Sequence, residues 1–251
     1  MGTAGYRPEV LSEPSESPSD PSLMAAVTEL GAALRELVDA SVRTTVDPGR
    51  LSAAAEQARA VTAVLSASIR PMNQLPALDD PVAFRRVYSP VTGLGSAFAP
   101  PLDIRQDEDG GVVADVTLGA AYEGPPGYLH GGMSGLLMDQ LLGSSAISAR
   151  RLGMTARLEL DYRRPVPLGT PLVLRARIVE DAGRRSVATG TIALAEAPQR
   201  ALVEARGVFV VPRPEQQEAY FGRIVDAAGR HAPPGAPTDA TAVGSSGSEQ
   251  A

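Results

Sequence analysis

The sequence contains no cysteine and only two histidines, His130 and His231. Disulfides, thiol chemistry and zinc–thiolate sites are therefore excluded, and so few histidines argue against a histidine-built metal site. Lysine is also absent, so all 23 basic residues are arginine. Arginine presents a planar, permanently charged donor fork that suits phosphate, although a compositional bias of the source organism would explain the same usage.

The charge balance is acidic, with a net charge of -6 and a pI near 5.1. This balance argues against a broad nucleic-acid footprint. No basic segment followed by an apolar one opens the chain, so we expect no secretory leader. The longest apolar stretch, residues 127–147, is short and is interrupted by Asp139, so we expect no membrane insertion. These features predict a cytoplasmic protein.

The ends of the chain differ from its middle in composition. Residues 1–22 and 229–251 are rich in small and polar residues and in proline, and we expect disordered tails there. Residues 23–70 carry two apolar stripes at helical spacing, separated by Asp47 and Pro48, which predicts a helical hairpin. A hairpin this small must dock on something, so a structural or oligomer-forming role is favoured over a lid above a site.

Residues 71–213 are predicted to form the main domain, with strands of period-two alternation after one long helix. The helix is expected over residues 132–150, and a last short helix over 214–228. Strands that follow one another closely after a central helix predict an α+β fold, in which an antiparallel sheet curls round that helix. The predicted strands cover residues 112–118, 155–164, 171–181, 186–195 and 200–212.

Asp139 is the only acidic residue between Glu123 and Glu159, and it lies among leucines and methionine in the predicted central helix. A helix without a wide charged face is a buried helix, so Asp139 should be at least partly desolvated. An unpaired buried carboxylate costs several kcal/mol, and a function or a specific partner usually holds it. The alternative is a carboxylate at the solvent edge of the helix, or one bonded to a hydroxyl such as that of Ser144.

Gly131 and Gly132 begin the same helix and place backbone N–H groups at its positive end, where they could stabilise a carbonyl oxygen that becomes negative. Gly131 and Asp139 are eight residues apart, which is about 12 Å along a helix. A reacting atom must lie about 3 Å from both donor and base. One helix therefore cannot supply both groups to one substrate, and the helices of two chains would have to meet.

The segment His130-Gly131-Gly132, with Asp139 nine positions after the histidine, is followed by "TARLELDYRRPVPLG". This pattern resembles the hotdog-fold acyl-CoA thioesterase superfamily, and in particular its PaaI-like branch. The resemblance covers residues 90–212, and "FAPPL" within it is similar to the family's first strand. It implies a dimer with a continuous sheet, or a dimer of dimers, with the active site between subunits.

The resemblance also implies roles for individual residues. Asp139 corresponds to the general base or nucleophile of thioester hydrolysis, Gly131 with Gly132 to the oxyanion donors, and Thr155 to a threonine that orients water. Ser96 stands where some relatives have asparagine, which departs from the family pattern. His130 would either hold the glycine turn in place or contact the substrate.

Three arginines near the predicted site, Arg157, Arg163 and Arg164, could pair with the phosphates of coenzyme A, although exposed arginines usually just face water. The predicted function is hydrolysis of an acyl-CoA thioester, with coenzyme A as part of the substrate and with no metal or other cofactor. The alternative is a non-catalytic acyl-CoA-binding module on the same fold. A hydratase is disfavoured because no histidine follows Asp139 on the helix.

Overall fold

The computed structural model describes residues 20–80, 84–149 and 153–231. Most of both predicted tails, and Arg150 at the predicted end of the central helix, lie outside the described residues. The helices are α1 (Pro21–Arg43), α2 (Pro48–Leu65), α3 (Gly131–Ser148) and α4 (Pro214–Phe221). The strands are β1 (Arg105–Gln106), β2 (Val112–Thr117), β3 (Met154–Tyr162), β4 (Pro171–Ala182), β5 (Arg185–Leu194) and β6 (Ala201–Val210).

The strands form one antiparallel sheet in the order β1-β2-β4-β5-β6-β3. All five predicted strands are present within a few residues of their predicted bounds, and the two-residue β1 adds to them. The α+β fold is therefore confirmed. β3 is the last strand in the order, so its outer edge has no partner strand within the described part of the chain.

Helix α3 lies against the sheet at the centre of the core. Leu137, Leu141 and Leu142 are fully buried there, and burial of each stabilises the fold by about 2 kcal/mol. Gly190 on β5 lets the helix approach closely, because a β-carbon there would lie 2.6 Å from Cε of Met138. The sheet wrapped round a central helix is thus the observed architecture.

The "FAPPL" segment, residues 98–102, does not form a strand. Pro100 and Pro101 lack the N–H that a strand needs for its ladder, which explains why this expectation was wrong. Helix α1 starts at Pro21 rather than Leu23, because the Asp20 side chain accepts hydrogen bonds from two amides of the first turn. Helices α2 and α4 end earlier than predicted, at Leu65 and Phe221.

The two N-terminal helices differ in how they contact the rest of the chain. Helix α1 docks through Gly31, where any β-carbon would collide with the Leu94 carbonyl oxygen. Nearby, Nη1 of Arg35 donates to the carbonyl oxygens of Leu94 and Ser96 at 2.8 Å each. Helix α2, in contrast, is solvent-exposed at every position except the half-buried Ala55 and does not pack along α1.

Candidate active site

Asp139 lies on α3 directly after the fully buried Met138, and the residue itself is partly buried. The hydroxyl of Thr155 donates to its Oδ1 at 2.9 Å, and within the described residues no donor contacts Oδ2. Asp139 is thus bonded to a hydroxyl, as the alternative interpretation expected, but the hydroxyl is that of Thr155 rather than that of Ser144, which accepts from the Gln140 side chain at 3.4 Å. Thr155 therefore holds one carboxylate oxygen of Asp139, while the other oxygen accepts from no donor among the described residues.

A β-bulge in β3 aims Thr155 at Asp139. Thr155 pairs with Phe209 and Arg157 pairs with Val208, so Ala156 is an extra residue in the ladder. Strict alternation from Leu158, which packs on the core, would turn Thr155 away from the helix. The extra residue reverses the alternation and points Thr155 inward.

The other candidate groups lie at the start of α3. His130 is the N-cap residue, and its Nδ1 accepts a hydrogen bond from the Gly132 amide at 3.0 Å. The favoured positioning role of His130 matches this contact. It also means that the Gly132 amide already has an acceptor. For the Gly131 amide no acceptor is recorded among the described residues, which leaves it as the stronger candidate for the oxyanion donor.

Tyr162 supports the same turn and was not among the predicted site residues. Its hydroxyl donates to the Gly131 carbonyl oxygen at 2.9 Å, and its ring lies 3.5 Å from where a β-carbon on Gly131 would be. The period-two alternation that places Leu158 and Leu160 toward the helix also places Tyr162 there, so the sequence carried the signal.

Two of the three candidate arginines already have carboxylate partners. Arg157 contacts Glu159 at 2.5 Å, and Arg163 donates to Glu204 at 2.7 Å, which raises the pKa of the Arg163 guanidinium. Both alternate with inward residues and so lie on the outer face of the sheet, away from Asp139. The Arg164 side chain, in contrast, makes no ion pair within the described residues.

One further group near the start of α3 has a shifted pKa. Burial raises the pKa of Tyr122, and the positive charge of Arg35 partly offsets that rise. The Tyr122 hydroxyl donates to the Phe98 carbonyl oxygen at 3.0 Å, and its own carbonyl oxygen accepts from the His130 amide. Tyr122 thus connects α1 to the turn that carries Gly131.

A surface concavity of about 1230 Å³ lies on the outer face of the sheet, where charged side chains line it, and Asp139 is not among its lining residues. No group of three or more histidine, aspartate or glutamate side chains in residues 20–80, 84–149 and 153–231 could hold a metal ion. Of the helices described, not one has the length and hydropathy needed to cross a membrane.

Comparison with known proteins places this arrangement in a family. The model of the thioesterase superfamily matches residues 126–197, a range that holds His130, Asp139 and Thr155. A crystal structure of a thioesterase superfamily protein is 34% identical, with a TM-score of 0.66, over 78% of this chain and 97% of that one. The chain belongs to the thioesterase superfamily. The resemblance seen in the sequence is confirmed at this level, and the sheet round a central helix is its hotdog fold.

Curated relatives of this thioesterase superfamily member match over shorter stretches. The acyl-coenzyme A thioesterase THEM4 of Xenopus laevis is 36% identical over 67 residues, which are 27% of this chain and 30% of that protein. THEM4 of Mus musculus is 31% identical over 98 residues, which are 39% of this chain and 42% of that protein. The chain thus spans less than half the length of these relatives.

Proposed function

We propose that this protein is an acyl-CoA thioesterase whose active sites are each shared between the two subunits of a homodimer. The name of the THEM4 relatives supports the substrate class, because it specifies acyl-coenzyme A thioesters. The shared site is supported by one observation. The two groups that the reaction needs are bonded to opposite ends of the edge strand β3, whose outer edge has no partner strand in the described part of the chain.

At the beginning of β3, Thr155 contacts Asp139. At its end, Tyr162 contacts Gly131. The two contacts are seven residues apart along the strand, which is about 24 Å at roughly 3.4 Å per residue. The groups themselves are eight residues apart on α3, about 12 Å along the helix, so within one chain the carboxylate and the oxyanion donor cannot both contact one carbonyl group.

An antiparallel pair of β3 strands would remove this separation. In a pair centred on Leu158, Tyr162 of one chain lies opposite Met154 of the partner subunit, because antiparallel strands run past each other in reverse order. The turn at Gly131 then lies near the partner's Asp139. The exposed backbone edge of β3 favours such pairing, since an unpaired edge presents free N–H and C=O groups. A twofold axis repeats the arrangement and produces two sites.

The chemistry follows from these positions. Asp139 takes a proton from a water molecule, and the water oxygen attacks the thioester carbonyl carbon. The carbonyl oxygen becomes negative and accepts a hydrogen bond from the Gly131 amide of the other chain. The C–S bond then breaks and coenzyme A leaves as the thiolate. The proton that Asp139 took from the water passes to the thiolate sulfur. Thr155 fixes Oδ1, so that Oδ2 faces the water.

A second route uses the same residues. The Asp139 carboxylate would attack the carbonyl carbon itself, and coenzyme A would leave from a mixed anhydride that water then hydrolyses. Both routes require the carboxylate of Asp139 and a donor for the oxyanion. Arg164 is the candidate for pairing with a coenzyme A phosphate, because it has no carboxylate partner within the described residues. Cytoplasmic localisation, independence of a cofactor and pairing into tetramers stay predictions.

The test is release of free thiol from a panel of acyl-CoAs. The chain has no cysteine, so a thiol reagent reports coenzyme A without a protein background. We expect turnover by the wild-type chain and its loss in Asp139→Asn, which keeps the size of the side chain but removes the base. Tight acyl-CoA binding without thiol release by the wild type would instead support a non-catalytic binding module.

A further inference from the structure

Helix α2 and the end of α1 expose an apolar surface that nothing in the described chain covers. We define the arm as residues 37–65, the last two turns of α1, the connecting turn and α2. Eight of the 20 exposed large apolar side chains of the described residues lie in this short arm. Single exposed apolar residues are ordinary, but a cluster of this kind marks an interaction surface.

The apolar stripe of α1 continues beyond the surface on which it docks. Val27, Gly31 and Leu34 face the body of the protomer and are buried or half-buried. Val38 and Val42 extend the same stripe by helical spacing, yet they are 38% and 54% exposed. The docking face of α1 is therefore longer than the body that it covers, and its last turns need a second surface.

Helix α2 needs such a surface even more. An isolated helix of about this length is marginal in water, and most helical stability in proteins comes from packing of an apolar face. Leu51, Val61 and Leu65 lie on one face of α2, and all three are between 46% and 47% exposed. Small alanines between them let another backbone or side chain approach closely.

The position of the arm indicates what covers it. Helix α1 docks beside the turn that carries Gly131. An Asp39 carboxylate oxygen lies 3.1 Å from where a β-carbon on Gly119 would be, and the charge of Arg35 is close enough to offset part of the rise that burial causes in the pKa of Tyr122, whose carbonyl oxygen accepts from the His130 amide. The arm thus leaves the protomer on the side of the Gly131 turn. In the proposed dimer that turn faces the second copy, so the arm extends along the same interface.

The surface area that a stable dimer buries also indicates that a second copy of this chain covers the arm. β3 is nine residues long. Its edge measures about 31 Å by roughly 10 Å, or about 300 Å² per partner. A standard stable interface buries about 800 Å² per partner. Helix α2 is about 27 Å long and roughly 10 Å wide. Since each protomer would give one arm and receive one, the two helix faces make up most of the shortfall.

We infer that the arm packs its apolar face on a second copy of this chain, so that each protomer clasps the other beside the composite active site. This inference rests on the proposed dimeric arrangement. It assigns to the N-terminal helices the oligomer-forming role that the sequence favours over a lid.

Cross-linking in the full-length protein tests the inference directly. The absence of native cysteine allows a single thiol at Val61→Cys to carry a photoactivatable benzophenone label, and Ala60→Cys provides a matched control on the opposite face of α2. Each variant is mixed with wild-type chain that carries no benzophenone and is uniformly labelled with nitrogen-15. Mass spectrometry then shows whether a cross-link joins two copies. We expect cross-links between copies from position 61 and few from position 60.

A second measurement gives the energetic consequence. The double variant Val61→Glu/Leu65→Glu places two carboxylates on the apolar face, and we expect the dimer dissociation constant to rise about tenfold or more. Ala60→Glu/Ala63→Glu adds the same charge to the opposite face and should leave the constant unchanged. Analytical ultracentrifugation measures both.

Three results would overturn the inference: cross-links from position 61 only within one copy, equal yields from positions 60 and 61, or equal dissociation constants for the two double variants. Neither measurement depends on catalysis. If the protein releases thiol normally but position 61 gives no cross-links between copies, the inference about the arm is refuted and the proposed function is not. If cross-links form between copies but the protein releases no thiol, the proposed function is refuted and the inference about the arm is not.

Discussion

Gly131→Pro removes the backbone amide N–H at the first position of α3, which the proposed mechanism needs as the oxyanion donor. Proline is favoured at this position because a first-turn amide needs no partner within its helix. His130 has φ -61 and ψ 132, the extended conformation that a residue before proline adopts. A β-carbon at 131 would meet the Tyr162 ring at 3.5 Å, an ordinary contact. The helix should therefore tolerate the substitution.

The expected loss is that of one oxyanion donor, about a hundredfold to a thousandfold in kcat. Thiol release at saturating acyl-CoA measures it, and urea unfolding shows whether the variant is folded. Gly131→Ala is the matched control, because it adds a β-carbon but keeps the N–H, and its kcat should stay close to that of the wild type. Equal activities for the proline and alanine variants would refute the assignment of Gly131 as the donor.

Three further substitutions test the groups around this turn and the carboxylate. Thr155→Val removes the hydroxyl that donates a charge-assisted hydrogen bond to Asp139, which is worth about 1.5–3 kcal/mol, so kcat/KM should fall about 10- to 100-fold. Thr155→Ser should retain activity, and an unaffected valine variant would contradict this role. His130→Ala loses the cap of α3 and should lower the free energy of unfolding by about 1 kcal/mol, and His130→Asn should restore it; no loss in the alanine variant would exclude the cap as a stabilising contact. Because burial raises the pKa of Tyr122, the folded state holds that proton more tightly than the unfolded state, and the resulting stability is present below the ordinary value of 10.0 and is lost as pH rises through the folded pKa. Urea titrations between about pH 9 and 11 should show a shallower alkaline loss for Tyr122→Phe, and an identical slope in both proteins would count against the burial of this phenol.

The features that sequence alone predicted well are those with a local cause. Alternation of apolar and polar residues reports burial of one strand face, and it located all five long strands. The continuous apolar surface of α3 reports a helix with the sheet around it, and that helix is central in the fold. Asp139 was conspicuous for the same reason, as a lone carboxylate on a buried helix.

The features that sequence alone missed depend on partners far along the chain. The bulge at Ala156 exists only in the pairing of β3 with β6, so no local pattern revealed why Thr155 turns inward. The alternation that places Tyr162 beside Gly131 was present, but its hydrogen bond depends on the turn 31 residues earlier. The apolar stripe of α2 predicted a helix, and helical spacing does not specify the surface that covers it.

The most direct test of the shared active site is complementation between two inactive variants. Gly131→Pro and Asp139→Asn are co-expressed with different affinity tags, and the mixed dimer is purified through both tags. In the mixed dimer one of the two sites combines an intact Gly131 with an intact Asp139 from the other chain, so we predict about half of the wild-type rate of thiol release per dimer. If the mixed dimer stays as inactive as its two parents, the carboxylate and the oxyanion donor do not act across the interface, and the account is contradicted.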